Sequence, residues 1–164
     1  MKRIAWIGLL VWCGVAWADD RSAVLGRWAT EDSIIEITEV DGVLRAQVVA
    51  LKEPRYHAGE AGPEGTERVD LNNPDAALRD RPILGIDLLA DYSWDGKQWR
   101  GHIYDPESGK TYKSQMRIGK DGNLEMRGYI GVPMLGRTQV FVPVSTCSGS
   151  IPQMLALAQL TSTC

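Results

Sequence analysis

The sequence has few of the residues that most often bind metals or perform catalysis. Its 164 residues include three cysteines and two histidines, and it contains no serine-hydrolase, zinc-protease or phosphate-binding motif. His57 falls in a long loop and His102 on the outer face of a predicted strand, so neither lies beside an evident nucleophile or acid–base partner. The cysteines and histidines also lack zinc-site spacing. We therefore predict no catalytic residue, no metal site and no cofactor.

Clusters of basic residues are absent as well. The formal net charge is −3, and no run of lysine or arginine occurs after residue 3. A protein that binds a nucleic-acid backbone needs clustered cations to replace the counterions of the phosphates. We therefore predict that nucleic acid is not a partner.

The apolar run at the N-terminus is short. It covers residues 4–15, whereas a membrane-spanning helix needs about 20 residues. Lys2 and Arg3 precede the run, and the small-x-small sequence Ala-Trp-Ala follows at 16–18. This arrangement is typical of a cleaved signal peptide. We predict a signal peptide over 1–18, a periplasmic or secreted location, and a mature form that does not span the membrane; the alternative is a transmembrane anchor.

Cleavage would also change the charge and the cysteine count. It would leave 16 basic and 21 acidic side chains, a net charge of about −5. Cys13 would be lost, so that only Cys147 and Cys164 remain. Two cysteines in an oxidising compartment favour a disulfide, which would hold a C-terminal tail, 146–164, with a short helix over 151–160. The alternatives are two free thiols or an intermolecular pair.

The rest of the chain alternates between apolar and polar residues, as β-strands do. Asp-Gly pairs at 41–42, 95–96 and 121–122 are strong hairpin signals. The predicted strands cover residues 27–29, 33–39, 43–50, 83–94, 98–104, 110–118, 123–130 and 137–144. Eight hairpin-linked strands close into an up-and-down barrel, so we predict one all-β domain over 19–145. A barrel of this size is either filled by side chains or holds one small ligand.

The sequence Gly26-Arg27-Trp28 resembles the Gly-x-Trp signature of lipocalins. In that family the tryptophan closes one end of the barrel, and an arginine from the last strand packs over its ring. The resemblance implies structural roles for Gly26 and Trp28, and it makes Arg137 the candidate for the packing arginine.

Four blocks of sequence resemble the domain-of-unknown-function 2147 family of small secreted bacterial proteins. They are Gly-Arg-Trp at 26–28, Asp-Leu-Asn-Asn-Pro at 70–74 with Leu-Arg-Asp-Arg-Pro-Ile-Leu-Gly at 78–85, Gly-His-Ile-Tyr-Asp-Pro-Glu-Ser-Gly-Lys-Thr-Tyr at 101–112, and Arg-Gly-Tyr-Ile-Gly at 127–131 with Leu-Gly-Arg-Thr at 135–138. The resemblance implies a lipocalin-like barrel and an exported protein. It implies no reaction.

A long polar loop, residues 52–81, interrupts the strand pattern, and loops of this length are usually functional or disordered. We predict that its polar side chains line one mouth of the barrel and orient a ligand; they are Asp70, Asn72, Asn73, Arg79 and Arg81. The apolar body of the ligand would contact Ile86, Trp99 and Tyr112.

Three functions remain open at this point. The first is binding of a small, partly apolar ligand, lipid-like or aromatic, inside the barrel. The second is a filled barrel that serves as a structural module or contacts a protein partner in the bacterial envelope. The third, a hydrolytic enzyme, has no motif in its favour. An internal cavity of a few hundred Å³ would favour the first, and a filled interior the second.

Overall fold

A computed structural model of the protein describes residues 21–161 and Cys164. The predicted signal peptide, residues 1–18, lies outside the described residues. No helix within 21–161 is both long and apolar enough to cross a bilayer.

The fold is a single antiparallel sheet of eight strands that curls into a barrel. The strands are β1 (Gly26–Ala29), β2 (Ser33–Val40), β3 (Val43–Leu51), β4 (Leu89–Trp94), β5 (Trp99–Asp105), β6 (Lys110–Ile118), β7 (Leu124–Tyr129) and β8 (Arg137–Pro143). Their order in the sheet is β3-β2-β1-β8-β7-β6-β5-β4. One helix, α1 (Ile151–Leu157), follows the last strand, and 3-10 turns form at Ser22–Val24, Ala76–Leu78, Pro133–Leu135 and Val144–Thr146. The prediction of an all-β barrel with a short C-terminal helix is confirmed.

The segment that precedes β4 closes the barrel. β3 and β4 are the two outer strands of the sheet, and residues 85–88, directly before β4, lie between β3 and β5. The backbone N–H of Gly85 donates to the carbonyl of Val48 at 2.8 Å, and that of Leu88 donates to Ala46 at 2.8 Å. On the other side, the carbonyl of Leu88 accepts a hydrogen bond from Tyr104 on β5. The edge of β3 is therefore covered between Ala46 and Val48, which protects it from pairing with other chains.

The prediction of one long strand over 83–94 is wrong in its first half, because β4 begins only at Leu89. The carboxylate of Asp87 accepts from the backbone N–H groups of Ala46 and Leu89, so it competes with regular strand pairing. Within β4 a bulge shifts the register between Ala90 and Ser93. Ala90 is therefore exposed, although simple alternation predicts that it faces inward.

Large side chains fill the barrel interior. The principal cluster of buried residues is Val24, Trp28, Ile35, Ile37, Leu44, Ala46, Val48, Leu89, Tyr92, Trp99, Met116, Leu124, Met126 and Phe141. At one end, hereafter the closed end, the indole N–H of Trp28 donates to the carbonyl of Val24 at 2.8 Å. The indole N–H of Trp99 donates to the carbonyl of Arg21 at 3.0 Å, and the guanidinium of Arg21 lies over the Trp99 ring. Two tryptophans and a short 3-10 turn thus seal this end.

The predicted contact between Trp28 and Arg137 does not form. Trp28 pairs with Pro143, at the end of β8, whereas Arg137 lies six residues earlier and pairs with Gly128. A strand rises about 3.3 Å per residue, so the two side chains are at opposite ends of the barrel. The ring contact that the resemblance assigned to Arg137 is made at the closed end by Arg21, on Trp99.

The C-terminal tail packs against the outside of the barrel. A register shift between Ile34 and Ile35 on β2 places these neighbours in two different clusters, Ile35 in the interior and Ile34 beneath α1. Ile151, Met154 and Leu155 of the helix are buried in the outer cluster. A disulfide joins Cys147 to Cys164, so the tail is tied at both ends, as the cysteine count predicts.

Removing the disulfide should loosen this tail. For the double variant Cys147→Ser/Cys164→Ser we expect a loss of about 3 kcal/mol in the free energy of unfolding, because the unfolded chain is no longer constrained by a loop of this length. Urea denaturation followed by circular dichroism measures the loss. Reductant should destabilise the wild type by a similar amount and leave the variant unchanged. Equal stability of both proteins would contradict a structural role for the bridge.

Candidate ligand-binding site

The two ends of the barrel differ in their connections. The tight Asp-Gly turns at 41–42, 95–96 and 121–122 all lie at the closed end. The opposite end, hereafter the open end, carries the long connection 52–88, the turn 106–109 and the loop 130–136. All the polar residues that the sequence predicts as ligand contacts lie at this open end.

A buried carboxylate organises the long connection. Asp70 is fully buried, and its Oδ1 accepts a hydrogen bond from the hydroxyl of Tyr104 at 2.7 Å. Its Oδ2 accepts from the amide of Asn73 at 2.7 Å and from Nε of Arg81 at 2.9 Å. The Arg81 guanidinium also lies over the Tyr104 ring, 5.5 Å from its centroid. Every acceptor of the carboxylate therefore has a donor from the protein itself, as a buried charge requires.

Tyr104 is the member of this network that sequence analysis did not identify. Burial raises the pKa of its hydroxyl, and the hydrogen bond to the Asp70 carboxylate and the negative charge there raise it further. The hydroxyl therefore stays protonated and continues to donate to Asp70 at neutral pH. The sequence signal that could have identified Tyr104 is its position next to Asp105-Pro106, within one of the four blocks of sequence that carry the family resemblance.

The remaining predicted polar residues fasten the loop to its surroundings. The Asn72 amide donates to the carbonyl of Glu107 at 2.7 Å, and Nε of Arg79 donates to the carbonyl of Asn73 at 2.8 Å. We refer to Asp70, Asn72, Asn73, Arg79 and Arg81 together as the loop latch. The structure brings these predicted residues together, and their hydrogen-bonding groups pair with one another, with Tyr104 and with the backbone.

The three predicted apolar contacts lie in different places. Ile86 and Trp99 are buried, and Trp99 belongs to the interior cluster. Tyr112 on β6 is half-buried near the open end, where its hydroxyl lies 3.2 Å from the hydroxyl of Ser108. Of the three, only Tyr112 is therefore accessible to a ligand.

Arg137 and Gln139 face inward at the open end. In the pairing of β7 with β8, Met126 is opposite Gln139 and Gly128 is opposite Arg137, and Met126 belongs to the interior cluster. Both β8 residues are nevertheless exposed, because β1 pairs with β8 only at Val142 and Pro143. The guanidinium of Arg137 has no hydrogen bond or ion pair with any other residue in 21–161 or with Cys164.

Gly128 leaves space beside Arg137. A Cβ atom at this position would lie 3.6 Å from Cβ of Tyr112 and 3.8 Å from Cγ2 of Ile103, which are ordinary van der Waals contacts. The missing side chain therefore exposes one side of Tyr112 and Ile103 toward the arginine. We refer to Ile103, Tyr112, Gly128, Arg137 and Gln139 as the open-end surface. Every second residue of a strand faces the same side. Counting back in twos from the apolar Phe141 would therefore have placed Gln139 and Arg137 on the inner face.

Two cavities of the described structure lie outside the barrel interior. One, of about 240 Å³, is on the outer face of β6 to β8 and is lined by Gln98, Gln115, Arg117, Glu125, Arg127 and Thr138. The other, of about 220 Å³, lies between β8 and the start of α1. Within residues 21–161 and Cys164, no group of three or more histidine, cysteine, aspartate or glutamate side chains could hold a metal ion.

Comparison with known proteins agrees with this architecture. Residues 26–142 match the model of a family described as an uncharacterized protein conserved in bacteria, DUF2147. The chain belongs to this family. Among solved structures, the DUF2147 chain is similar to protein HP1028 from Helicobacter pylori, which is described as belonging to the lipocalin family. The two chains are 21% identical with a TM-score of 0.60, covering 86% of this chain and 92% of HP1028. At this identity the similarity shows a lipocalin-like fold alone, and no curated protein sequence matches the chain.

The loop latch should matter for stability. Arg81→Ala leaves the buried Asp70 carboxylate without its guanidinium, and we expect a loss of about 3 kcal/mol in the free energy of unfolding. Arg117→Ala is the matched control, since Arg117 and Glu125 form a more exposed ion pair of the kind worth about 0–1 kcal/mol. Urea denaturation measures both variants. Similar small losses in the two would show that the latch is not a structural device.

The long connection comes very close to the turn 106–109 at Asn72, and this contact gives a second prediction about stability. A Cβ at Gly109 would lie 1.8 Å from the carbonyl oxygen of Asn72, and the residue has a φ of +66°. Gly109→Ala should therefore displace the loop and cost more than about 3 kcal/mol. Gly122→Ala, with a φ of +79° and open space around it, should cost only about 1 kcal/mol of backbone strain. Equal losses would argue against this approach of the two backbones.

Proposed function

We propose that the protein binds a small, partly apolar molecule with an anionic group, and that it does so at the open-end surface. The observation that carries this proposal is the position of Arg137, an inward-facing cation at the mouth of a barrel with a packed interior cluster, whose guanidinium has no partner among the described residues. Ligand sites combine apolar walls with a few polar groups that fix orientation. Tyr112 and Ile103 would supply the wall and Arg137 the polar anchor.

The chemistry of the anchor suggests the ligand class. A guanidinium presents several N–H donors in one plane and pairs well with carboxylate, sulfonate or phosphate oxygens. Gln139, on the same face of β8, could donate or accept a further hydrogen bond. The half-buried Tyr112 ring offers an aromatic face to the apolar part of the ligand. No catalytic role is proposed, because the open-end surface has no nucleophile with an adjacent base.

We further propose that the protein acts in the periplasm or outside the cell. The N-terminal residues 1–18 have the composition of a signal peptide. The disulfide between Cys147 and Cys164 is of a kind that persists in oxidising compartments.

A second candidate is a filled barrel that acts as an interaction module in the envelope. The packed interior and the internally paired loop latch favour it. In this case the loop latch and the core would serve stability alone, and no small molecule would bind at Arg137.

Two dyes that share an aromatic body test the anchor. 1-Anilinonaphthalene-8-sulfonate carries an anionic group, and N-phenyl-1-naphthylamine lacks it. Arg137→Ala should weaken binding of the sulfonate about tenfold, the equivalent of one charge-assisted hydrogen bond, and leave the neutral dye nearly unaffected. Gly128→Val should weaken both dyes by filling the space beside Tyr112. Fluorescence titration gives the dissociation constants, and thermal melts check that both variants fold.

Lys120→Ala is the control, because it removes one exposed positive charge at the closed end. It should change neither dissociation constant. Dye binding that is absent, or that is the same in all four proteins, would rule out a site at Arg137 and favour the interaction module.

A further inference from the structure

The loop between β7 and β8 exposes an unusual amount of apolar side chain. Residues 130–136 contain no charged residue. Ile130 is 72% exposed, Val132 53%, Met134 86% and Leu135 79%. Four large apolar side chains next to one another at a loop tip are uncommon on a protein that contacts only water, and such patches usually mark an interaction site.

This loop, hereafter the apolar loop, is held in place by one arginine. Nε of Arg127 donates to the carbonyl of Pro133 at 2.7 Å, and a second guanidinium nitrogen donates to the carbonyl of Met134 at 3.2 Å. The third nitrogen donates to the hydroxyl of Thr138 at 2.8 Å. Arg127 therefore holds the carbonyls of Pro133 and Met134, while the four large apolar side chains of the loop are exposed.

Three basic residues lie next to the apolar loop. Arg127 and Arg137 flank it, and Lys113 on β6 is paired with Tyr129 at its start. Neither Arg127 nor Lys113 has an acidic partner among residues 21–161 and Cys164, and residues 126–137 include no acid. This local positive charge lies on a protein whose net charge is −3.

We propose that the apolar loop is a membrane-contact element that inserts its side chains into the surface of an anionic lipid bilayer. Apolar side chains that project beside basic residues suit the boundary between lipid headgroups and acyl chains, where burial of apolar area and attraction to anionic lipid act together. A loop tip that projects from the protein can enter a fluid lipid surface, because such a surface does not need to provide a complementary pocket. The open end of the barrel would then face the bilayer.

Sedimentation with lipid vesicles tests this proposal on the intact protein. We expect binding to phosphatidylcholine vesicles that contain phosphatidylglycerol, with weaker binding to phosphatidylcholine alone and at high salt. Met134→Ser/Leu135→Ser should weaken partitioning at least about tenfold. Lys113→Gln should weaken it about fivefold on the anionic vesicles only.

The matched control is Val40→Ser/Val43→Ser, which removes two exposed apolar side chains at the closed end. It should partition like the wild type. Equal partitioning of both double variants, or no binding of the wild type to either vesicle, would overturn the proposal. Self-association that the Met134/Leu135 variant abolishes, without vesicle binding, would also overturn it and identify a contact between copies of the chain. Dye titration of the Met134/Leu135 variant is a separate readout, because the proposed ligand anchor at Arg137 is intact in it.

Discussion

Closure of the barrel between β3 and β4 is the constraint on which the rest of the structure depends. These two strands are consecutive in the chain, yet the segment 85–88, directly before β4, joins the edge of β3 to β5 by hydrogen bonds on both sides. The connection from β3 must therefore leave the barrel, cross the open end and return. Its length follows from this path. The buried Asp70 carboxylate, with donors from Tyr104, Asn73 and Arg81, holds the returning chain in place.

This use of the long connection changes where a ligand could bind. Polar residues in a long loop next to a barrel mouth resemble a binding site, but here their donors and acceptors satisfy a buried charge. The interior is packed with Trp28, Trp99, Tyr92 and their neighbours. Where β8 extends beyond its short pairing with β1, the inward-facing residues are polar and exposed, and the proposed ligand site lies there.

Sequence alternation was a good guide wherever a strand pairs regularly along its whole length. β3 and β6 lie within one residue of the predicted bounds, and the eight-stranded barrel follows from the hairpin signals. It failed where tertiary contacts replace strand pairing, as at Asp87, whose carboxylate takes the place of a backbone acceptor. The bulge at Ala90–Ser93 and the short pairing of β1 with β8 depend on distant chain segments, so no local pattern reports them. The sequence therefore singled out Arg137 as a candidate, but it could not show at which end of the barrel this residue lies.

The arrangement of the C-terminal tail has a consequence for the order of folding. β1 pairs with β8, and Ile34 on the outer face of β2 packs in one cluster with Ile151, Met154 and Leu155 of α1, in the tail that the Cys147–Cys164 bridge ties down. The first elements to be synthesised thus depend on the last. Contacts between residues so far apart in the chain form slowly. An incomplete chain would present the apolar outer face of the first hairpin and an unpaired β1 edge, a surface open to mispairing until Cys164 has been made.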